Sequence, residues 1–225
     1  MIVPCIDLQG GKAVQLVRGR RRVLAVDDVL GLLERFRRYS IVHVIDLDAA
    51  MGRGRNDRWV RALCQRAPGR LRVGGGIRTV ARAERVLRWG ADKIIVSSAA
   101  FRRGRINHSF LRRLVARVGR RRILLALDAE NGQLVVRGWR RRYALRPEEL
   151  MPELERYCSE FLCTCVEREG RLRGTNLAWF RSLRRATRLP ITAAGGIRSR
   201  AEVAALARLK MKAAVGMALY LDRLR

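Results

Sequence analysis

The chain has 225 residues, 48% of them hydrophobic, enough for a sizeable core, with 49 basic against 20 acidic side chains and a formal net charge of +29. No run approaches the roughly 20 apolar residues of a membrane span, and the start, Met1 to Asp7, lacks the basic and long apolar parts of a signal peptide, so a cytoplasmic protein is expected. Because 45 of the 49 basic residues are arginines spread along the chain without interleaved stacking aromatics, the charge predicts salt-sensitive sticking to polyanions rather than a specific nucleic-acid groove.

Short runs rich in Ile and Val alternate with longer amphipathic stretches, the pattern of repeated βα units around a parallel sheet. In chain order the expected strands begin near residues 2, 41, 70, 93, 123, 160, 191 and 213. The first of them ends at Asp7 and the fifth at Asp128. Between them helices are expected near residues 26–38, 58–66, 80–89, 109–118, 147–158, 177–187 and 200–209. Val29, Leu33 and Phe36 show the three-four apolar spacing of a helix, as do Leu111, Leu114 and Val118. Eight such strands predict a (β/α)₈ barrel, with an open doubly wound sheet as the structural rival. After Gly216 too few residues remain for a full last helix.

Motifs recur about 120 positions apart along this sequence. Asp7 returns as Asp128, Gly75-Gly76-Ile77-Arg78 as Gly195-Gly196-Ile197-Arg198, Val96 to Ala99 as Val215 to Ala218, and Asn56 as Asn176. The chain therefore reads as one domain, 1–225, built of half-repeats of about 1–120 and 121–225. In a barrel the active site lies at the C-terminal ends of the strands, where these motifs fall.

Glycines alone do no more than permit tight turns. Two glycine turns, each after a strand and before a helix, instead suggest paired phosphate cradles, since exposed N–H groups and a helix N-terminus favour anions. The first would comprise Gly75, Gly76, Arg78 and Ser98, and the second Gly195, Gly196, Gly216 and Met217. The implied substrate is a small molecule with two phosphorylated ends. A strand-end carboxylate alone is more readily structural, capping a turn or pairing with an arginine, but Asp7 and Asp128 facing each other between two cradles suit general acid/base chemistry. The connection after Cys165 is long and carries Gly170 and Gly174, as a closing loop does, while Arg137 and Trp139 offer a cation and a stacking surface at the same rim. The five cysteines contain no CxxC and the chain has two histidines, so no metal is expected and the thiols should be reduced.

In this order the motifs resemble the ProFAR isomerase family of histidine biosynthesis (phosphoribosylformimino-5-aminoimidazole carboxamide ribotide isomerase) over essentially the whole chain. The resemblance rests on Val3-Pro4-Cys5-Ile6-Asp7-Leu8, His43 to Asp48, Val73 to Arg78, Val136-Arg137-Gly138-Trp139, Gly195-Gly196-Ile197 and Ala218-Leu219-Tyr220. It implies an aminoaldose-to-aminoketose (Amadori) rearrangement with no cofactor, by an enzyme expected to be monomeric. Asp7 matches the family's base, and Thr164 its sixth-strand threonine. Asp128 and Glu169 are competing matches for the acid. Four positions depart from the family: Glu169 stands for an aspartate, Cys165 for another aspartate, and Gln15 and Met217 for arginines. The sister family, the cyclase subunit of imidazole glycerol phosphate synthase, is similar at Pro4-Cys5 and Gly74 to Arg78. Arg137-Gly138-Trp139 and Ala218-Leu219-Tyr220 favour the isomerase. A basic RNA-binding protein on a decayed barrel is the alternative from another class.

Overall fold

Eight parallel strands close on themselves in the computed structural model, which describes residues 1–17, 19 and 21–224. They are β1 (Ile2–Gln9), β2 (Val42–Asp46), β3 (Leu71–Gly74), β4 (Lys93–Val96), β5 (Ile123–Ala126), β6 (Glu160–Thr164), β7 (Ile191–Ala194) and β8 (Met211–Val215). Each pairs in parallel with its sequence neighbour, and β8 returns to β1 with Val3 opposite Ala214. Helices Val29–Arg35, Asp57–Arg66, Val80–Arg88, His108–Val118, Pro147–Leu154, Leu177–Ala186, Arg200–Arg208 and the short Met217–Tyr220 alternate with the strands. The expected (β/α)₈ barrel is the fold, with a short final helix.

The period-two alternation of each strand sorts side chains between two environments. On β2, Val42 and Val44 are fully buried in the layer shared with the helices, while Ile45 packs against the smaller cluster of Ile95, Leu124, Ala126, Leu162 and Ala214 that fills the barrel. Beneath that cluster is a polar floor. Glu160 of β6, 1% exposed, bonds Arg72 (2.6 Å), Lys212 (2.8 Å) and the Thr192 hydroxyl (2.7 Å), with Lys93 at 3.5 Å. These contacts hold the Glu160 carboxyl down at about 2 against its burial. Above the cluster the strand ends open into a polar mouth.

Helix starts follow capping chemistry. Asp28, Thr79, Asn107, Asn176 and Ser199 each accept a backbone N–H from the first turn of the helix that follows. Asp28 corrects the expected 26–38 helix, because it sets the start at Val29 while Val26 is drawn into a strand opposite Ala13. That strand, Arg21–Val26, and its partner Lys12–Val17 form a hairpin on β1, stretching β1 past Asp7 to Gln9. Conversely β5 stops at Ala126, two residues before Asp128. The 147–158 helix also ends early, at Leu154, and passes into a 3₁₀ turn, Glu155–Tyr157. Among the described residues no helix is long and apolar enough to cross a membrane.

Candidate active site

A cavity of about 210 Å³ opens at the C-terminal ends of the strands. Asp7, Asp128, Thr164 and Glu169 all line it, as do Gly75, Gly76, Arg78, Ser98 and Trp139. Glu169 also borders a second, separate cavity of about 20 Å³ formed with Gly195, Gly196, Gly216 and Met217. Of the residues expected to act in catalysis or substrate binding, Arg137 alone borders neither; its side chain is exposed and its backbone N–H donates to the Ser98 hydroxyl at 2.8 Å.

Three carboxyl groups therefore share one cavity, and none of them forms an ion pair among the described residues. Burial lifts Asp7 from 3.8 to about 7. Glu169 rises further, from 4.5 to about 8, through burial first and then the charges of Asp7 and Asp128. Asp128 is also raised by burial, opposed by neighbouring Thr164 and by the indole N–H of Trp139, which donates to its Oδ2 at 2.9 Å. Its other oxygen, Oδ1, is buried in the wall of the cavity. Near neutral pH this set holds a carboxylate able to take a proton beside a carboxylic acid able to give one.

The loops bring these groups together. After β5 the chain forms two short strands, Ala129–Glu130 and Gln133–Val136, and turns at Arg137-Gly138-Trp139 to bring the indole back over Asp128 and against Gly19. Loop 6, residues 165–176, folds inward over the mouth. Its Gly170 lies against the backbone of Leu16 and Val17 in the hairpin, and its Gly174 N–H reaches the Gly196 carbonyl at 3.2 Å. Glu169 is carried into the cavity by this closure.

The two glycine turns are built alike. Gly75 (φ +93°) is pressed against the backbone of Asp46, and Gly195 (φ +102°) against that of Cys165, leaving no room for a side chain at either position. Their occupancy by protein differs. The first turn faces the open cavity, although the Arg78 guanidinium also donates to the carbonyls of Ala49 (3.0 Å) and Ala50 (2.6 Å). At the second, closed loop 6 leaves space for about one water molecule rather than a phosphate group.

Two further residues reach the site through the tertiary fold. His43 lines the base of the cavity; burial and Arg72 hold its imidazole down at about 3, hence neutral, and its Nε2 is buried without a partner. Gln15 is 2% exposed, and its Oε1 lies 2.5 Å from where a Gly216 side chain would begin. Period-two alternation predicts that His43 shares a face with Ile45, but only the closed barrel places that face under Asp7. The hairpin that brings Gln15 here lies in a stretch where no strand is expected.

Comparison with known proteins adds a family to this geometry. The profile of the family described as histidine biosynthesis protein matches residues 1–225. A protein of Methylocella silvestris is 34% identical over 100% of this chain and 93% of its own length. One of Listeria monocytogenes is 33% identical over 97% and 92%, and one of Methanocaldococcus jannaschii 31% over 98% and 93%. All three are named 1-(5-phosphoribosyl)-5-((5-phosphoribosylamino)methylideneamino)imidazole-4-carboxamide isomerase.

Proposed function

The chain belongs to the histidine biosynthesis protein family, and on that footing we propose that it performs the isomerisation for which its relatives are named, with Asp7 as base and Glu169 as acid. The bisphosphorylated aminoaldose ProFAR becomes its aminoketose isomer by opening of the ribose ring, loss of the C2 proton and collapse of the enolamine. The inward fold of loop 6 carries this reading, because it places Glu169 in the same cavity as Asp7 and Asp128.

The division of roles follows from how each group is held. Asp7 is fixed on β1 and, at about 7 against about 8, ionises before Glu169 and can take the C2 proton. Glu169 keeps its proton to about 8 and arrives only with the closed loop, so it donates to the ring oxygen after substrate is enclosed. Asp128, bonded by Trp139 and beside Thr164, orients the substrate from the opposite wall. Gly75, Gly76, Arg78 and Ser98 would receive one phosphate. Gly195, Gly196, Gly216 and Met217 would receive the other once loop 6 lifts and closes again over it, with the buried Gln15 amide beside Gly216. In this reading the enzyme works as a cytoplasmic monomer, without a partner subunit, metal or redox cofactor.

Kinetics of the two amide variants test the assignment. With Glu169 as acid, Glu169→Gln loses about 10²- to 10⁴-fold in kcat, while Asp128→Asn weakens mainly substrate binding. Near wild-type kcat in Glu169→Gln together with a large loss in Asp128→Asn would transfer the acid role to Asp128. Full activity in both would end the two-carboxylate mechanism.

A further inference from the structure

Two equivalent loops of this barrel are held by carboxylates in different places. Loop 2, residues 46–56, is anchored from within by Asp46 at the end of β2, which is fully buried. Its Oδ2 accepts the Asn56 N–H at 2.8 Å, and its Oδ1 accepts the Asn56 side-chain amide at 2.8 Å and the Ala49 N–H at 3.1 Å. The corresponding strand-end position of loop 6 is Cys165, since each residue backs the first glycine of the next turn. A thiol cannot make those three bonds, and the Asn176 side chain caps its own helix instead, accepting the Trp179 N–H at 3.1 Å.

The bonds missing at Cys165 are supplied from outside the loop by Glu202, in the first turn of helix Arg200–Arg208. Its Oε1 accepts the Thr175 N–H at 2.9 Å and its Oε2 accepts the Arg198 N–H at 2.9 Å, with the Ser199 hydroxyl at 3.4 Å. The Oε1 atom also occupies the space where a side chain at Gly174 (φ +87°) would begin, 2.7 Å away, so the loop backbone is moulded around the carboxylate. The Thr175 hydroxyl is buried with no partner, so this residue is held by its main chain alone. At the matching place in the first half stands Arg82, which pairs instead with Asp57, at the start of the helix after loop 2, at 2.5 Å.

We propose that Glu202 is a positioning residue for the isomerisation, a latch on the helix after β7 that holds loop 6 shut and thereby keeps Glu169 in the active site. A partly exposed carboxylate on a neighbouring element can be left and regained in each turnover, whereas Asp46 locks loop 2 for good. The inference rests on the assignment of Glu169 as acid.

Hydrogen exchange and pH–rate profiles of Glu202→Gln test it. The amide keeps the side chain's size but offers one acceptor where two N–H groups converge. Exchange across residues 166–176 should quicken by at least about 10-fold, the loss of one charge-assisted bond, while exchange in β5 and β6 stays unchanged. Glu169, which faces Asp7 and Cys5 of β1 and Asp128 beyond β5, would then be more solvated. Its proton would leave earlier, moving the alkaline limb of kcat/KM to lower pH by about one unit, and kcat/KM at pH 8 should fall by about 5-fold. Adding Cys165→Asp, which restores a strand-end anchor like Asp46, should recover slow exchange and the original limb. Glu84→Gln, on an exposed pair with Arg117, serves as the unaffected control.

Unchanged loop exchange in Glu202→Gln would overturn the latch, as would faster exchange with an unmoved limb. Glu169→Gln measured alongside keeps the two failures apart. If that variant retains kcat, the acid assignment is what falls, and the exchange data alone decide whether Glu202 holds the loop.

Discussion

Replacing the ionisable carboxyl of Glu169 should stabilise the protein, and by an amount that depends on pH. The folded chain holds this carboxyl at about 8 against an ordinary 4.5. At pH 7 the unfolded chain has released the proton and the folded chain has not, which costs stability by a ceiling of about 3 kcal/mol at about 1.4 kcal/mol per pH unit. The raised value fixes the sign. The folded state is unpenalised below pH 4.5, where both states are protonated, and loses stability as pH rises through 8. Glu169→Gln keeps the shape without the titration. Because the group borders the cavity and is coupled to Asp7, about half the ceiling is expected, or a Tm about 3–6 °C higher at pH 7 for a chain of this size. Thermal melts of both proteins at pH 4 and pH 7 provide the assay. Equal Tm differences at the two pH values, or a lower Tm for the variant at pH 7, would refute the claim that Glu169 sits protonated in an enclosed site.

Asp7→Asn should lower kcat by about 10²- to 10⁴-fold with KM within about an order of magnitude, since the amide keeps the fit and loses the base; steady-state kinetics decide. With Asp7 at about 7 and Glu169 at about 8, kcat/KM of the wild type should trace a narrow bell peaking between them, the limbs belonging to the coupled pair, and a flat profile from pH 6 to 9 would contradict it. Glu160→Ala should destabilise by about 3–5 kcal/mol in denaturant titrations, because it strands Arg72, Lys93 and Lys212 in the barrel floor. Glu160 is held at about 2, so its stabilising contribution is present above pH 4.5 and lost as pH falls through 2; Glu160→Gln should therefore show a flatter acid limb of stability.

The sequence by itself determined the barrel. Its eight Ile- and Val-rich runs and the helices between them are local patterns whose hydrophobic period survives whatever they pack against, and all eight strands form within a few residues of their expected bounds. That Asp7, Asp128 and Gly75 stand at the barrel mouth was legible for the same reason, since position along the chain relative to a strand fixes height in a barrel, although β1 runs on past Asp7 and β5 stops short of Asp128. The hairpin of Lys12–Val17 and Arg21–Val26 was not, because its pairing partner is β1 rather than anything nearby in its own stretch. Glu202 shows the same limit. Ser199 and Glu202 have the spacing of a helix capping box, which accounts for the pair locally, and only folding reveals that the carboxylate reaches Thr175 of another loop. Which carboxyl groups share a water-poor cavity was likewise decided by tertiary structure, because desolvation is a property of everything that surrounds a group and not of its neighbours in the chain.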